Sequence, residues 1–192
     1  MKQLTKANKV LKKAKTSNNV LKFPKLDPLN LQLLCFTDAS HNNLTDGGSQ
    51  GGMIVFLSDG VNSSPLSWYS KRVRRVARSA LAAELMALGE GTDHATNLKV
   101  LLNELLGEKS PSRINVYTDN RSLYDAAQTT HLPQDKSIRA EIAAVREKIT
   151  MQEISLNWVP TESQYADVLT KQGAEASTIR KILKGGTLPE HE

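Results

Sequence analysis

A single cysteine, Cys35, stands in a chain of 192 residues. That excludes an intrachain disulfide and any cysteine-rich zinc centre. It lies inside the apolar run 31–37, and a lone thiol there fits a reducing, intracellular setting. No run approaches the roughly 20 apolar residues of a membrane-spanning helix, so no membrane partner is expected. The N-terminus is basic but has no apolar stretch behind it, and it does not read as a secretory signal. His41, His94, His131 and His191 show no metal-ligand spacing. Gly47-Gly48 and Gly51-Gly52 lack the spacing and following helix of a nucleotide-binding loop, and read as a flexible connection between strands.

Acidic residues are scarce at one end. Residues 1–30 hold eight lysines against one acid, Asp27, for a net +7, while the other 162 residues carry a net −2. The basic character therefore belongs to the leader. Such an arm suits a polyanion such as nucleic acid, although the composition equally describes a solvated tail or the end of a neighbouring domain.

What remains is patterned for a core. The leader reads as a short helix over about Leu4–Lys15, closed by Phe23-Pro24 and Asp27-Pro28, because a residue before proline avoids the helical region. Residues 31–37 suit a buried central strand. A glycine-rich turn over 46–52 leads to strands at 53–58 and 65–70, with Asp59-Gly60 between them as a hairpin signal. Residues 76–106 read as a helix with a break near Gly89–Gly91 and a stop at Gly107. Further strands fall at 113–118 and 153–159, and helices at about 120–128, Lys136–Ile149, 163–173 and 176–184. Three strands joined by tight turns are antiparallel neighbours; later strands separated by helices can lie parallel to the first. The expected fold is α/β, a mixed five-stranded sheet flanked by helices.

Carboxylates then fall at telling places. Phe36-Thr37-Asp38 and Tyr117-Thr118-Asp119 end two strands alike. If those strands are parallel neighbours, both acids emerge at the carboxyl edge, where ligands of α/β sheets collect; aspartate is also a common turn residue. Glu84 has Ala80, Leu81, Ala87 and Leu88 as its helical neighbours. A lone carboxylate on such a face is costly without compensation, unless it sits at a boundary and reaches water. Asp167 lies near a helix start, where an acid is favoured in any case. Several carboxylates at one edge raise each other's pKa. Hard divalent cations such as Mg²⁺ resolve that conflict, and two of them support phosphodiester hydrolysis.

Five stretches, in order, carry a resemblance. They are Phe36-Thr37-Asp38-Ala39-Ser40, Leu66 to Arg72, Ser79 to Glu84, Tyr117-Thr118-Asp119-Asn120, and Trp158 to Lys171. Across about residues 31–173 the chain resembles the ribonuclease H domain at the end of copia-type retrotransposon Pol polyproteins. Residues 1–30 look like the stretch joining reverse transcriptase to that domain, which implies a C-terminal portion of a larger polyprotein. The division expected is a basic leader over 1–30, a ribonuclease H-like domain over 31–174 and a tail over 175–192.

The resemblance implies Asp38, Glu84, Asp119 and Asp167 as ligands of two Mg²⁺ ions, with Mn²⁺ able to replace them. It also implies cleavage of the RNA strand of an RNA–DNA hybrid, leaving 5′ phosphate and 3′ hydroxyl ends. Contacts to the 2′-hydroxyl are expected near Ser40 and Glu84, with Ser79, Asn120 and Arg78 near phosphates and the glycines of 47–52 close to the substrate backbone. Expected partners are the hybrid and the reverse transcriptase portion of the same polyprotein, in the cytoplasm or a virus-like particle. Cellular ribonucleases H often carry a histidine where this chain has Thr161-Glu162-Ser163; copia-type domains generally lack it. Nor is a basic protrusion evident, since Leu98–Leu106 is largely apolar. Trp68 and Trp158 are expected in the core. Three other readings stay open: a non-catalytic nucleic-acid-binding remnant, a pseudogene fragment that never folds, and a nuclease of the same fold that acts on DNA.

Overall fold

The apolar run beginning at Leu33 forms the centre of a five-stranded sheet. A computed structural model describes residues 2–17, 20–111, 113–129 and 135–188. In chain order these are α1 (Lys2–Thr16), β1 (Gln32–Ser40), β2 (Gln50–Ser58), β3 (Ser63–Arg72), α2 (Ala80–Leu106), β4 (Ile114–Thr118), α3 (Arg121–Gln128), α4 (Arg139–Thr150), β5 (Ile154–Trp158), α5 (Asp167–Thr170) and α6 (Ser177–Gly185). The strand order is β3-β2-β1-β4-β5. β1 pairs antiparallel with β2 from Gln32↔Ser58 to Ser40↔Gln50, and parallel with β4 from Leu33↔Ile114 to Phe36↔Tyr117. The mixed sheet expected from the element order is therefore present.

Why the run lacks alternation is now plain. Leu33, Leu34, Cys35 and Phe36 are all buried, because β1 is covered on both faces. One core joins Leu33, Cys35, Met53 and Val55 to α2 and α4 through Leu85, Leu88, Ile142 and Val145. The other joins Leu34, Phe36, Ile54 and Phe56 to Tyr165, Ile179 and Ile182. There Phe36 stacks on Tyr117 at 4.5 Å between ring centroids. β3 is an edge strand, so Pro65 is tolerated where the register with β2 shifts beside Val55 and Phe56.

Several expectations are corrected. α2 begins at Ala80 rather than 76, because Ser79 in extended conformation caps it by accepting from Ala82 N–H. No break occurs at Gly89–Gly91. A side chain at Gly89 would meet nothing within 4 Å, whereas a Cβ at Gly91 would lie 2.4 Å from Thr37 Cγ2. Gly91 therefore marks where α2 presses on β1, not where it bends. Likewise Gly51 and Gly52 are inside β2 rather than a flexible turn, and a Cβ at Gly52 would meet Thr170 at 2.8 Å and Leu169 at 2.9 Å. What approaches Gly52 is α5 of the chain itself, while Gly51 faces Val73 and, from α2, Ala87. The last short helix expected over 176–184 is α6, whose Ile179 and Ile182 are buried. Lys22 N–H of the leader donates to Leu183 O at 2.8 Å, and Ser63 N–H to Gly186 O at 2.7 Å. Both tryptophans are more exposed than expected, Trp68 at 53% and Trp158 at 41%. Gly107 does close α2, and the leader helix is α1.

The two glycines of α2 separate propensity from packing. Gly89→Ala should raise stability by up to about 1 kcal/mol through helix propensity alone. Gly91→Ala should lower it by about 1–3 kcal/mol through overpacking against Thr37. Thermal melts of the two variants check this, at about 2–4 °C per kcal/mol for a domain of this size; equal shifts of one sign would refute it.

Candidate active site

Three elements deliver three carboxylates to one place. Asp38 lies within β1, paired across to Gly52, rather than just beyond the strand. Asp119 follows the parallel neighbour β4 directly. Glu84 projects from the second turn of α2, placed there by the Ser79 cap. Carboxylate oxygens of Asp38, Glu84 and Asp119 lie within 4.8 Å of one another. Asp38 is 1% and Glu84 8% exposed, and Asp119 is half-buried.

Each acid is held. Thr170 Oγ1 donates to Asp38 Oδ2, and the Ala39 N–H donates to Glu84. Thr161 Oγ1 donates to Asp119 Oδ2 at 3.0 Å, and Trp158 Nε1 to the Asp119 carbonyl at 3.0 Å. Gln164 Nε2 reaches Thr37 O at 3.0 Å, tying the loop after β5 to β1. Arg121 lies over the exposed Trp158 ring.

Asp167 stands apart from this trio. It opens α5 and pairs with Lys171 one turn on. Its charge still reaches Asp38 and works with that of Asp119 to raise the Asp38 pKa. The absence of a side chain at Gly52 is what lets α5 lie against β2 and bring Asp167 and Thr170 this close.

Electrostatics follow from burial first. Desolvation pushes Asp38 up to about 6, with Thr170 and Lys171 opposing and Asp167 and Asp119 adding. Glu84 is pushed up to about 9 by desolvation, then by the charges of Asp38 and Asp119. Lys171 is raised: burial works against its charge, but the bond to Asp167 and the charges of Asp38 and Asp119 prevail. Buried oxygen donors that repel one another are a donor set suited to a hard divalent cation. Cys35 is no competing nucleophile, since burial pushes its thiol up to about 12.

Two of the remaining expected residues have structural duties. Ser79 is the α2 cap, and Asn120 caps α3 by accepting from Leu123 N–H at 3.0 Å. Ser40 ends β1 two residues beyond Asp38, and Arg78 is exposed just before the Ser79 cap. Of the neighbouring arginines, Arg72 pairs with Asp46 and Arg75 with Glu141. His131 and His191 lie outside the described residues. Sequence reasoning assigned no role to Thr161, Gln164, Thr170 or Lys171. Only Lys171 had a local signal, its four-residue spacing from Asp167.

A sheet of this order, with carboxylates gathered where β1 and β4 end, is the ribonuclease H fold. Among solved structures, the N-terminal RNase H domain of a Mycobacterium tuberculosis protein matches with a TM-score of 0.55 at 18% identity, over 73% of this chain and 91% of that one. LC11-RNase H1, solved in complex with an RNA/DNA hybrid, also gives 0.55 at 15% identity, over 72% of this chain and 94% of that one. In sequence, the chain is similar to the retrovirus-related Pol polyprotein from transposon RE2 of Arabidopsis thaliana, at 29% identity over 143 residues. That match takes in 73% of this chain, but the chain spans only 10% of that protein. No protein-family model matches. The resemblance to a retrotransposon Pol ribonuclease H domain therefore holds.

The raised carboxyls have a measurable consequence. Without metal the folded chain holds protons that the unfolded chain releases at about pH 4. The stability they contribute is complete below that pH, and is lost as pH climbs through about 6 for Asp38 and about 9 for Glu84. The melting temperature in EDTA should fall from pH 5 to pH 9, and Glu84→Gln should remove much of that fall. Added Mg²⁺ or Mn²⁺ should raise it more at pH 8 than at pH 5, since binding needs the ionised acids. Melting that ignores both pH and cation would rule out a metal-binding cluster here.

Proposed function

We propose that this chain is a divalent-metal-dependent endonuclease that hydrolyses the RNA strand of RNA–DNA hybrids, as the ribonuclease H portion of a retrotransposon Pol polyprotein. The observation that carries this is the convergence of Asp38, Glu84 and Asp119 within 4.8 Å at the site end of a ribonuclease H sheet. These three, with Asp167 as a fourth, would hold Mg²⁺ or Mn²⁺; the buried, raised carboxyls of Asp38 and Glu84 fit such an ion. A bound pair of ions supplies activation of water and stabilisation of the departing 3′ oxygen.

The chain supplies positioning. Thr170 orients Asp38, the Ala39 N–H holds Glu84, and Thr161 fixes the outer oxygen of Asp119. Bonds of this kind set where carboxylate lone pairs point, and losing one commonly lowers metal affinity or activity about 10–100-fold. Discrimination of RNA from DNA turns on the 2′-hydroxyl. Ser40, close beyond Asp38 on β1, is the side chain assigned to it, with Ser79, Asn120 and Arg78 toward phosphates. The hybrid-bound state of LC11-RNase H1 supports the substrate class, and the similarity to a transposon Pol polyprotein supports a place within such a polyprotein. Among the described residues no helix is long and apolar enough to cross a membrane.

Cleavage of a labelled RNA–DNA hybrid with Mg²⁺ or Mn²⁺, beside duplex DNA and duplex RNA, tests the proposal. Hybrid alone should be cut. Asp119→Asn should lower the rate by about 100-fold or more, and Thr170→Val by about 10–100-fold. Folded protein that binds hybrid yet cuts nothing with either metal would replace the enzyme by a binding remnant. Equal cutting of duplex DNA would move it to a DNA nuclease. Ser79→Ala and Asn120→Ala are poorer probes of phosphate contact, because each also removes a helix cap worth about 1 kcal/mol.

A further inference from the structure

Among the described residues, α1 is an exposed and strongly charged surface away from the proposed active site. Its sequence, KQLTKANKVLKKAKT, holds six lysines and no acid. Residues 3–16 are all exposed. At 3.6 residues per turn, Lys6, Lys9 and Lys13 form one row with Lys12 on its flank. Leu4, Ala7, Leu11 and Ala14 form the opposite row.

Beyond the leader, positive charge does not predominate. The chain carries a net −2 beyond residue 30. Its site is a cluster of acids, and two arginines beside α2 are already paired with Asp46 and Glu141. We infer that the lysine row of α1 is a second binding surface, one that grips the phosphate backbone of duplex nucleic acid without regard to sequence. It adds an electrostatic tether to the cleavage site of the proposed function but does not depend on that site being active.

Three physical points support this. Lysines three and four residues apart repel along a helix, and phosphates relieve that repulsion. The row from Lys6 to Lys13 rises about 10 Å along the axis, a span that faces about six phosphates of a duplex when both strands are counted. The reach also suffices. The leader is anchored where Lys22 meets Leu183, close to Gly186 and the Ser63 start of β3. That is the end of the sheet where β1 begins, since Ser63 pairs with Ser58 and Ser58 with Gln32. Asp38 lies six residues further along β1, about 20 Å away. A helix of 15 residues spans about 22 Å, and residues 17–21 extend at most about 17 Å. The two lengths together exceed the distance. A lipid surface fits α1 less well: its apolar row is two leucines and two alanines with no aromatic residue, where interfacial helices present Trp, Phe and Leu.

The test uses the full chain in EDTA, so that binding is read without cleavage. Affinity for an RNA–DNA hybrid and for duplex DNA of equal length is measured against salt, beside the Lys6→Gln, Lys9→Gln, Lys13→Gln triple variant. The variant should bind both duplexes about tenfold or more weakly at low salt, with a log–log salt slope shallower by about 2–3, near 0.9 per lost contact. An unchanged slope overturns the inference, as does tighter binding to vesicles containing phosphatidylserine than to duplex. An unchanged melting temperature confirms that the exposed substitutions leave the fold intact. If the triple variant loses duplex binding while hybrid cleavage is absent from every protein, the tether stands and the enzyme reading alone falls.

Discussion

Everything at the candidate site depends on one costly arrangement: carboxylates brought together on a strand that is covered on both faces. Asp38 belongs to β1, a central strand buried on both faces, and Glu84 enters from a helix pressed against it. Separately, each is a desolvated acid of the kind that folded proteins avoid. Brought together, the charges of Asp38 and Asp119 further oppose the ionisation of Glu84. A fold that keeps such a cluster gives up stability at neutral pH, and a divalent cation is the partner whose charge and preference for oxygen ligands offset that cost.

The packing that creates the cluster relies on two close approaches. Gly91 lets α2 lie on β1 beside Thr37, which sets the height at which Glu84 meets Asp38. Gly52 lets α5 lie on β2, which brings Thr170 to Asp38 and Asp167 within electrostatic range. The loop after β5 closes the third side through Gln164 on Thr37 and Thr161 on Asp119. These contacts come from different parts of the chain and converge on the first strand. The site is therefore a property of the sheet order rather than of any one segment.

Charge is divided along the chain in a way that suits this site. A cluster of acids repels a polyanion at long range, and the body around it is slightly acidic. The lysines are set apart on an exposed helix joined through a segment anchored at α6. Keeping cations on a separate arm avoids neutralising the carboxylates directly; among the described residues, Lys171 is the lysine that touches the cluster's surroundings.

Element types, their order and the mixed sheet were legible in the sequence, because the period and length of apolar runs follow from burial on one or two faces. Asp38, Glu84 and Asp119 were legible too: two sat at matching strand ends, and one lay on an apolar helical face where a charge needs a reason. The sequence could not say what the glycines do. Gly51, Gly52 and Gly91 read as a turn and a break, because a missing side chain looks the same whether it frees the backbone or admits a neighbour. Nor did it reveal the exposure of Trp68 and Trp158, the packing of α6, or the hydroxyls of Thr161 and Thr170, since these depend on which surfaces meet. Local chemistry along the chain determined the elements and marked the acids. Only tertiary packing decided which three acids share one space and which groups orient them, because distances of a few ångströms between segments far apart in the chain, from 42 residues for Thr161 and Asp119 to 132 for Thr170 and Asp38, are set by the whole core at once.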